Sequence, residues 1–132
     1  MTPKKEEKFS ITGRLNSFKY AFKGILWFLK YEHNSRIHLL SALIAIGLGF
    51  YFEISALEWI FIICVIAMVF ISELFNTAIE HIANFISPEF SLKIGLIKDI
   101  SSAAVLIAAL TSILVALVIF IPYIIESGIF TD

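Results

Sequence analysis

The chain has 132 residues, 59% of them hydrophobic, and a net charge of −1. Soluble domains hold about 45–50% apolar residues, so this composition belongs to the membrane class, and the length allows one domain rather than two. The near-zero charge excludes a basic footprint for nucleic acid, and the lone Cys64, set inside an apolar run, excludes an intrachain disulfide framework or a cysteine metal cluster.

Residues 1–13 read as a mobile cytoplasmic tail containing Pro3 and mixed Lys and Glu. Met1 to Ser10 is charged and has no apolar core leading to a small-residue cleavage site, so it is not a secretory signal peptide. Over about 14–30, Phe18, Phe22, Ile25, Leu26 and Leu29 recur at helical spacing, while Lys19, Lys23 and Lys30 supply charge. That pattern suits an amphipathic helix lying in the membrane interface. A helix packed on the bundle in the manner of a soluble protein is the alternative.

Three apolar runs follow. Ile37 to Phe52 is uncharged when His38 is neutral and, with its flanks, predicts a first span over about 35–52. Glu53 to Glu58 forms a short break. Trp59 to Ser72 predicts a second span over about 56–80, and Ile100 to Ile125 a third over about 99–124, with Pro122 and Tyr123 at its far end. Residues 126–132 remain as an external tail. The small side chains of Ser101, Ser102, Ala103 and Ala104 let helices approach closely at the start of the third span. The predicted fold is therefore an all-α membrane protein with an N-terminal amphipathic surface helix and three transmembrane helices.

All ten Lys and Arg residues lie before the first apolar run, the last of these being Arg36, or between the second and third runs. By the positive-inside rule the N-terminus and the loop between spans two and three are cytoplasmic, and the C-terminus is outside.

The second apolar run ends directly in polar groups. Glu73, Asn76, Thr77 and Glu80 fall at i, i+3, i+4 and i+7, so a helix projects all four from one face. Carboxylates joined to a membrane-length segment are costly, and function is the default reason to keep them. The plain alternative is a helix end that has emerged into water, which is easier to accept for Glu80 than for Glu73, flanked by apolar residues.

Glu32, ahead of the first span, Lys98-Asp99, ahead of the third, and Lys19, Tyr20 and Lys23 on the surface helix are expected at the same depth. Hard carboxylate oxygens suit Mg²⁺, a lysine suits phosphate, and a further carboxylate can accept the proton of an attacking hydroxyl. These are the parts that phosphoryl transfer needs. No G-x-x-x-x-G-K-[ST] loop and no protein-kinase signature occurs in the sequence. His33, His38 and His81 are scattered and make no metal site.

The segment Glu73-Leu74-Phe75-Asn76-Thr77-Ala78-Ile79-Glu80, with the later Lys98-Asp99-Ile100-Ser101-Ser102-Ala103-Ala104-Val105, resembles the bacterial diacylglycerol kinase/undecaprenol kinase family. Tyr20-Ala21-Phe22-Lys23-Gly24 and Glu32-His33-Asn34-Ser35-Arg36-Ile37-His38 resemble its N-terminal half. The likeness covers about residues 14–123. It implies an integral-membrane lipid kinase domain over 14–125, assembled as a homotrimer in the bacterial inner membrane, that transfers the γ-phosphate of ATP to a lipid alcohol and requires Mg²⁺.

Carried over by position, the resemblance makes Glu73 the catalytic base and Asn76 the amide that orients it or the phosphate. It makes Glu32 and Glu80 metal carboxylates that also face the nucleotide, and Tyr20, Glu89, Lys98 and Asp99 nucleotide-binding residues. Arg14 becomes a phosphate contact, and Lys23, Glu73 and Ser102 meet the lipid. The chain departs from the family at Phe90-Ser91, where Tyr-His is common, at Asn84, where aspartate is usual, and at His38, which replaces a carboxylate of some members. Gly13 aligns with a basic residue, and Arg14 stands one position on. Diacylglycerol is the expected acceptor and undecaprenol the alternative. A non-enzymatic or inactive small membrane protein is the reading from another class.

Overall fold

The computed structural model describes residues 10–87, 89 and 91–128, all of whose regular structure is helical. Residues 1–9 and 129–132 of the expected tails, Pro88 and Phe90 lie outside the described residues. Four helices follow in order: α1 (Ile11–Tyr31), α2 (His33–Tyr51), α3 (Ala56–Ile86) and α4 (Leu92–Glu126). By its contacts the chain divides after Glu32, with α1 in one unit and α2 to α4 in the other.

Helix α1 starts where Ser10, in extended backbone, accepts a hydrogen bond from the Gly13 N–H at 3.2 Å. Such a cap satisfies one of the orphan donors of the first turn. It places the start three residues before the expected position. The helix ends as Glu32 turns extended and its N–H donates to the Phe28 carbonyl at 2.9 Å. Ile11, Leu15, Phe18, Phe22 and Ile25, all exposed, form one stripe along it.

In the other unit, α3 packs mainly along α4, and α2 lies against α3. Helices α3 and α4 are each long and apolar enough to cross a membrane. At 1.5 Å per residue, α3 is about 46 Å long, more than the roughly 30 Å of a hydrocarbon core. It runs six residues past the expected end at Glu80, and α4 begins seven residues before the expected start. Leu92–Lys98 is a mixed polar and apolar stretch, so apolarity alone hides its helical geometry. Pro122 sits inside α4, which continues to Glu126. Cys64 is an exposed free thiol on α3.

The α2–α3 connection is short and tightly built. The Ile54 N–H donates to Gly49 O at 3.2 Å and the Glu53 N–H to Phe50 O at 3.4 Å, the two bonds of a Schellman stop. That motif puts Glu53 in the left-handed region at φ 51, where glycine is the usual occupant. Ser55 then opens α3 with a capping box: its hydroxyl receives the Glu58 N–H, and its own N–H donates to Glu58 Oε2 at 2.8 Å. The same carboxylate oxygen accepts from Tyr123 of α4 at 2.9 Å.

Buried Ile54, Ile62, Ile119 and Phe120 form the core at this end, with Phe52 stacked on Tyr123 at 5.8 Å between ring centroids. Gly49 is buried against it: a Cβ there would meet Trp59 Cη2 at 2.8 Å. In detergent-micelle unfolding, Gly49→Ala is therefore expected to destabilise by about 1–3 kcal/mol through overpacking. Glu53→Gly is expected to stabilise by about 1 kcal/mol by removing the left-handed penalty.

Candidate active site

The polar face of α3 is turned inward. Glu73, Asn76 and Thr77 are buried and Glu80 is half-buried. Glu73 lies 17 residues beyond Ala56, about 26 Å along α3. The reading of this face as a helix end emerging into water therefore fails for Glu73 and Asn76. Glu73 is only 2% exposed, and its Oε2 is the buried side-chain polar atom that has no hydrogen-bond partner among the described residues. A buried carboxylate oxygen left without a donor is costly, and such a group is a candidate site for a ligand that supplies one.

Asn76 is the hub between α3 and α4. Its Oδ1 accepts from the Ser101 hydroxyl at 2.6 Å and from Ser102 at 3.4 Å, and its Nδ2 donates to Glu80 Oε1 at 3.4 Å. Ser101, also buried, lies 2.9 Å from the Lys98 carbonyl oxygen as well. Sequence reasoning assigned Ser102 and passed over Ser101. In a run of small residues a packing serine and a bonding serine look alike, and only the α3–α4 register distinguishes them.

One turn further toward the loop, Lys98 Nζ donates to Asn84 Oδ1 at 3.2 Å. Lys98, Asp99, Glu89 and Asn84 line an open pocket of about 440 Å³ together with Ser87, Ser91 and Gly95. Ser87 donates to the Glu89 carbonyl at 2.9 Å, which ties the loop below it. A cation and two carboxylates around one open pocket can receive a phosphorylated ligand and its counter-ion.

The structure thus brings together Asn76, Glu80 and Ser102, and separately gathers Glu89, Lys98 and Asp99. Arg14, Tyr20 and Lys23 are exposed along α1, and Glu32 is the half-buried residue that ends it. Among the described residues no group of three or more His, Cys, Asp and Glu side chains converges on one point. The half-buried Glu80 carboxylate, anchored on one oxygen by Asn76, is a hard oxygen donor. One such carboxylate is compatible with Mg²⁺, which takes one or two carboxylates and completes its shell with phosphate oxygens and water.

The prokaryotic diacylglycerol kinase family matches residues 19–120. An undecaprenol kinase of Bacillus subtilis is 32% identical over 118 residues, covering 89% of this chain and 96% of that one. A diacylglycerol kinase of Escherichia coli K12 is 30% identical over 95 residues, 72% of this chain and 78% of the other. A diacylglycerol kinase of Haemophilus influenzae is 34% identical over 98 residues, 74% and 83% of the two chains.

The unpartnered Glu73 oxygen should be visible in stability. Glu73→Leu, which removes the buried unpartnered polar group at similar volume, is expected to stabilise the chain by about 1–3 kcal/mol in micelle unfolding. Clear destabilisation would show that the carboxylate already has a partner.

Proposed function

The chain belongs to the prokaryotic diacylglycerol kinase family, and on that premise we propose that Glu73 is the base through which this ATP-dependent lipid kinase phosphorylates its acceptor. The observation that carries the reading is the buried, unpartnered Glu73 Oε2 on an apolar helix of membrane length. An acceptor hydroxyl donating to that oxygen would satisfy it and bring the proton to the base that removes it. A base on a membrane-spanning helix reaches a lipid headgroup while the lipid's tail stays in the bilayer.

Lys98, Asp99 and Glu89 hold the nucleotide in the pocket they line, with Lys98 set against phosphate charge. By the family resemblance Arg14 and Tyr20 of α1 are assigned to the nucleotide, and Lys23 and Ser102 to the lipid. Glu80 is the carboxylate for Mg²⁺ on α3, and the family resemblance gives Glu32 the same role; the ion, when bound, would offset charge on the phosphate oxygens. The proton leaves the acceptor oxygen for Glu73 as that oxygen bonds to the γ-phosphorus and ADP departs with the bridging oxygen.

Helix α2 supplies a third span and α1 lies in the interface, its apolar stripe toward lipid and its lysines toward headgroups. The N-terminus and the site face the cytoplasm, the C-terminus lies outside, and the chain assembles as a homotrimer. The distribution of Lys and Arg supports this orientation.

For the acceptor, the relative named undecaprenol kinase matches over most of both chains, which favours undecaprenol, yielding undecaprenyl phosphate. The second reading is diacylglycerol, yielding phosphatidic acid; it is supported by the family description and by the shorter matches to relatives named diacylglycerol kinase.

Labelled ATP offered with both lipids side by side in micelles tests the proposal. Label is expected in undecaprenol in preference to diacylglycerol, and Glu73→Gln is expected to lower kcat by a factor of about 10²–10⁴, the range for loss of a general base. Preferential label in diacylglycerol would reverse the acceptor assignment. Full turnover by the Gln variant would remove Glu73 from the base role.

A further inference from the structure

We infer that Ser101 is a positioning residue: it sets which way the Asn76 amide faces, and through that amide it holds the Glu80 carboxylate for the divalent cation that accompanies the nucleotide. The inference rests on the proposed cation role of Glu80.

A primary amide has two orientations that differ only in which of its ends is donor and which acceptor. In the one seen here, Oδ1 faces two serine hydroxyls and Nδ2 faces Glu80. The flipped orientation would put the amide oxygen against the Glu80 carboxylate, two acceptors with no proton between them. Ser101 opposes that flip from the other side of the amide.

Its hydroxyl carries one proton and has two acceptors in reach, Asn76 Oδ1 at 2.6 Å and Lys98 O at 2.9 Å. Donation to Asn76 is the shorter contact, and it is made where both partners are buried. Donation to Lys98 instead would leave Asn76 Oδ1 with only the longer Ser102 contact, so the proton aimed at Asn76 is what favours the amide orientation seen here. Ser102 is a weaker support, since its hydroxyl is 3.4 Å away and the residue is exposed.

The Asn76–Glu80 contact, also 3.4 Å, is near the outer limit of a hydrogen bond. A bond that long holds a carboxylate only while its donor stays aimed. Removing the Ser101 hydroxyl frees the amide to swing, and Glu80 then has to be ordered when the cation arrives.

The test uses the full chain in detergent with Mn²⁺ as a paramagnetic probe and a non-hydrolysable ATP analogue, comparing wild type with Ser101→Ala and Ser101→Cys. Cysteine nearly preserves the volume but is a weak donor, so it carries the test if the alanine variant does not fold. Both variants are expected to bind Mn²⁺ about fivefold more weakly, the scale of one ordinary hydrogen bond. The Mg²⁺ concentration needed for half-maximal turnover should rise by the same factor, with kcat at saturating Mg²⁺ within twofold of wild type.

Unchanged Mn²⁺ affinity in a folded variant, even one that melts at a lower temperature, would overturn the inference and leave a structural serine. Mn²⁺ affinity unchanged in Glu80→Gln would instead overturn the cation role of Glu80, on which the inference depends.

Discussion

A 2.6 Å hydrogen bond from Ser101 to Asn76 joins the two longest helices at the depth where their apolar surfaces give way to polar ones. Without it Asn76 would be a buried amide held by two long contacts, to Glu80 and to Ser102. With it the amide becomes a fixed strut between α3 and α4, and the carboxylates on either side of Asn76 on α3 acquire different surroundings. Glu80 is held by a donor and half-exposed, whereas Glu73 is buried with one oxygen bare. Two carboxylates two turns apart on one helical face thus differ in burial and in hydrogen bonding.

The opposite end of the three-helix unit provides the stiffness that such a site requires. Glu58 Oε2 takes hydrogen bonds from Ser55 at the start of α3 and from Tyr123 near the end of α4, while Trp59 packs directly on Gly49 of α2. Polar groups at the two ends therefore fix α3 against α4, and the stretch between them is mainly apolar contact. In a lipid environment apolar side chains gain little by leaving the solvent, so packing and a few interhelical hydrogen bonds define register. The close approach at Gly49 and the hydrogen bonds at Tyr123 and Ser101 are contacts of that kind.

Much of this was legible from the residues. The 3.6-residue period carried Glu73, Asn76, Thr77 and Glu80 to one face, and the all-helical architecture followed from long apolar runs. The motif around Glu73 and Lys98 pointed to the family. Element ends were less legible. Helix α4 starts at Leu92 because its first turns mix lysine with apolar residues, and no membrane-length signal marks them. The left-handed Glu53 is invisible without the hydrogen bonds that close the Schellman stop, since no glycine announces it. Ser101 was missed because the pairing register between α3 and α4 is a long-range fact, and a serine beside alanines carries no trace of it. That Glu73 is costly could be read from its neighbours; which oxygen lacks a partner required coordinates.

The role of Glu73 can be tested directly by watching its carboxylate. Isotope-edited infrared spectra of the chain in lipid micelles, with Glu73→Gln to identify the band, should be recorded with the lipid alcohol and with an analogue that lacks the hydroxyl. The account predicts that the Glu73 band shifts when the alcohol is added and stays in place with the analogue, because the hydroxyl donates to the bare oxygen. A band that responds equally to both lipids, or to neither at saturation, would contradict it.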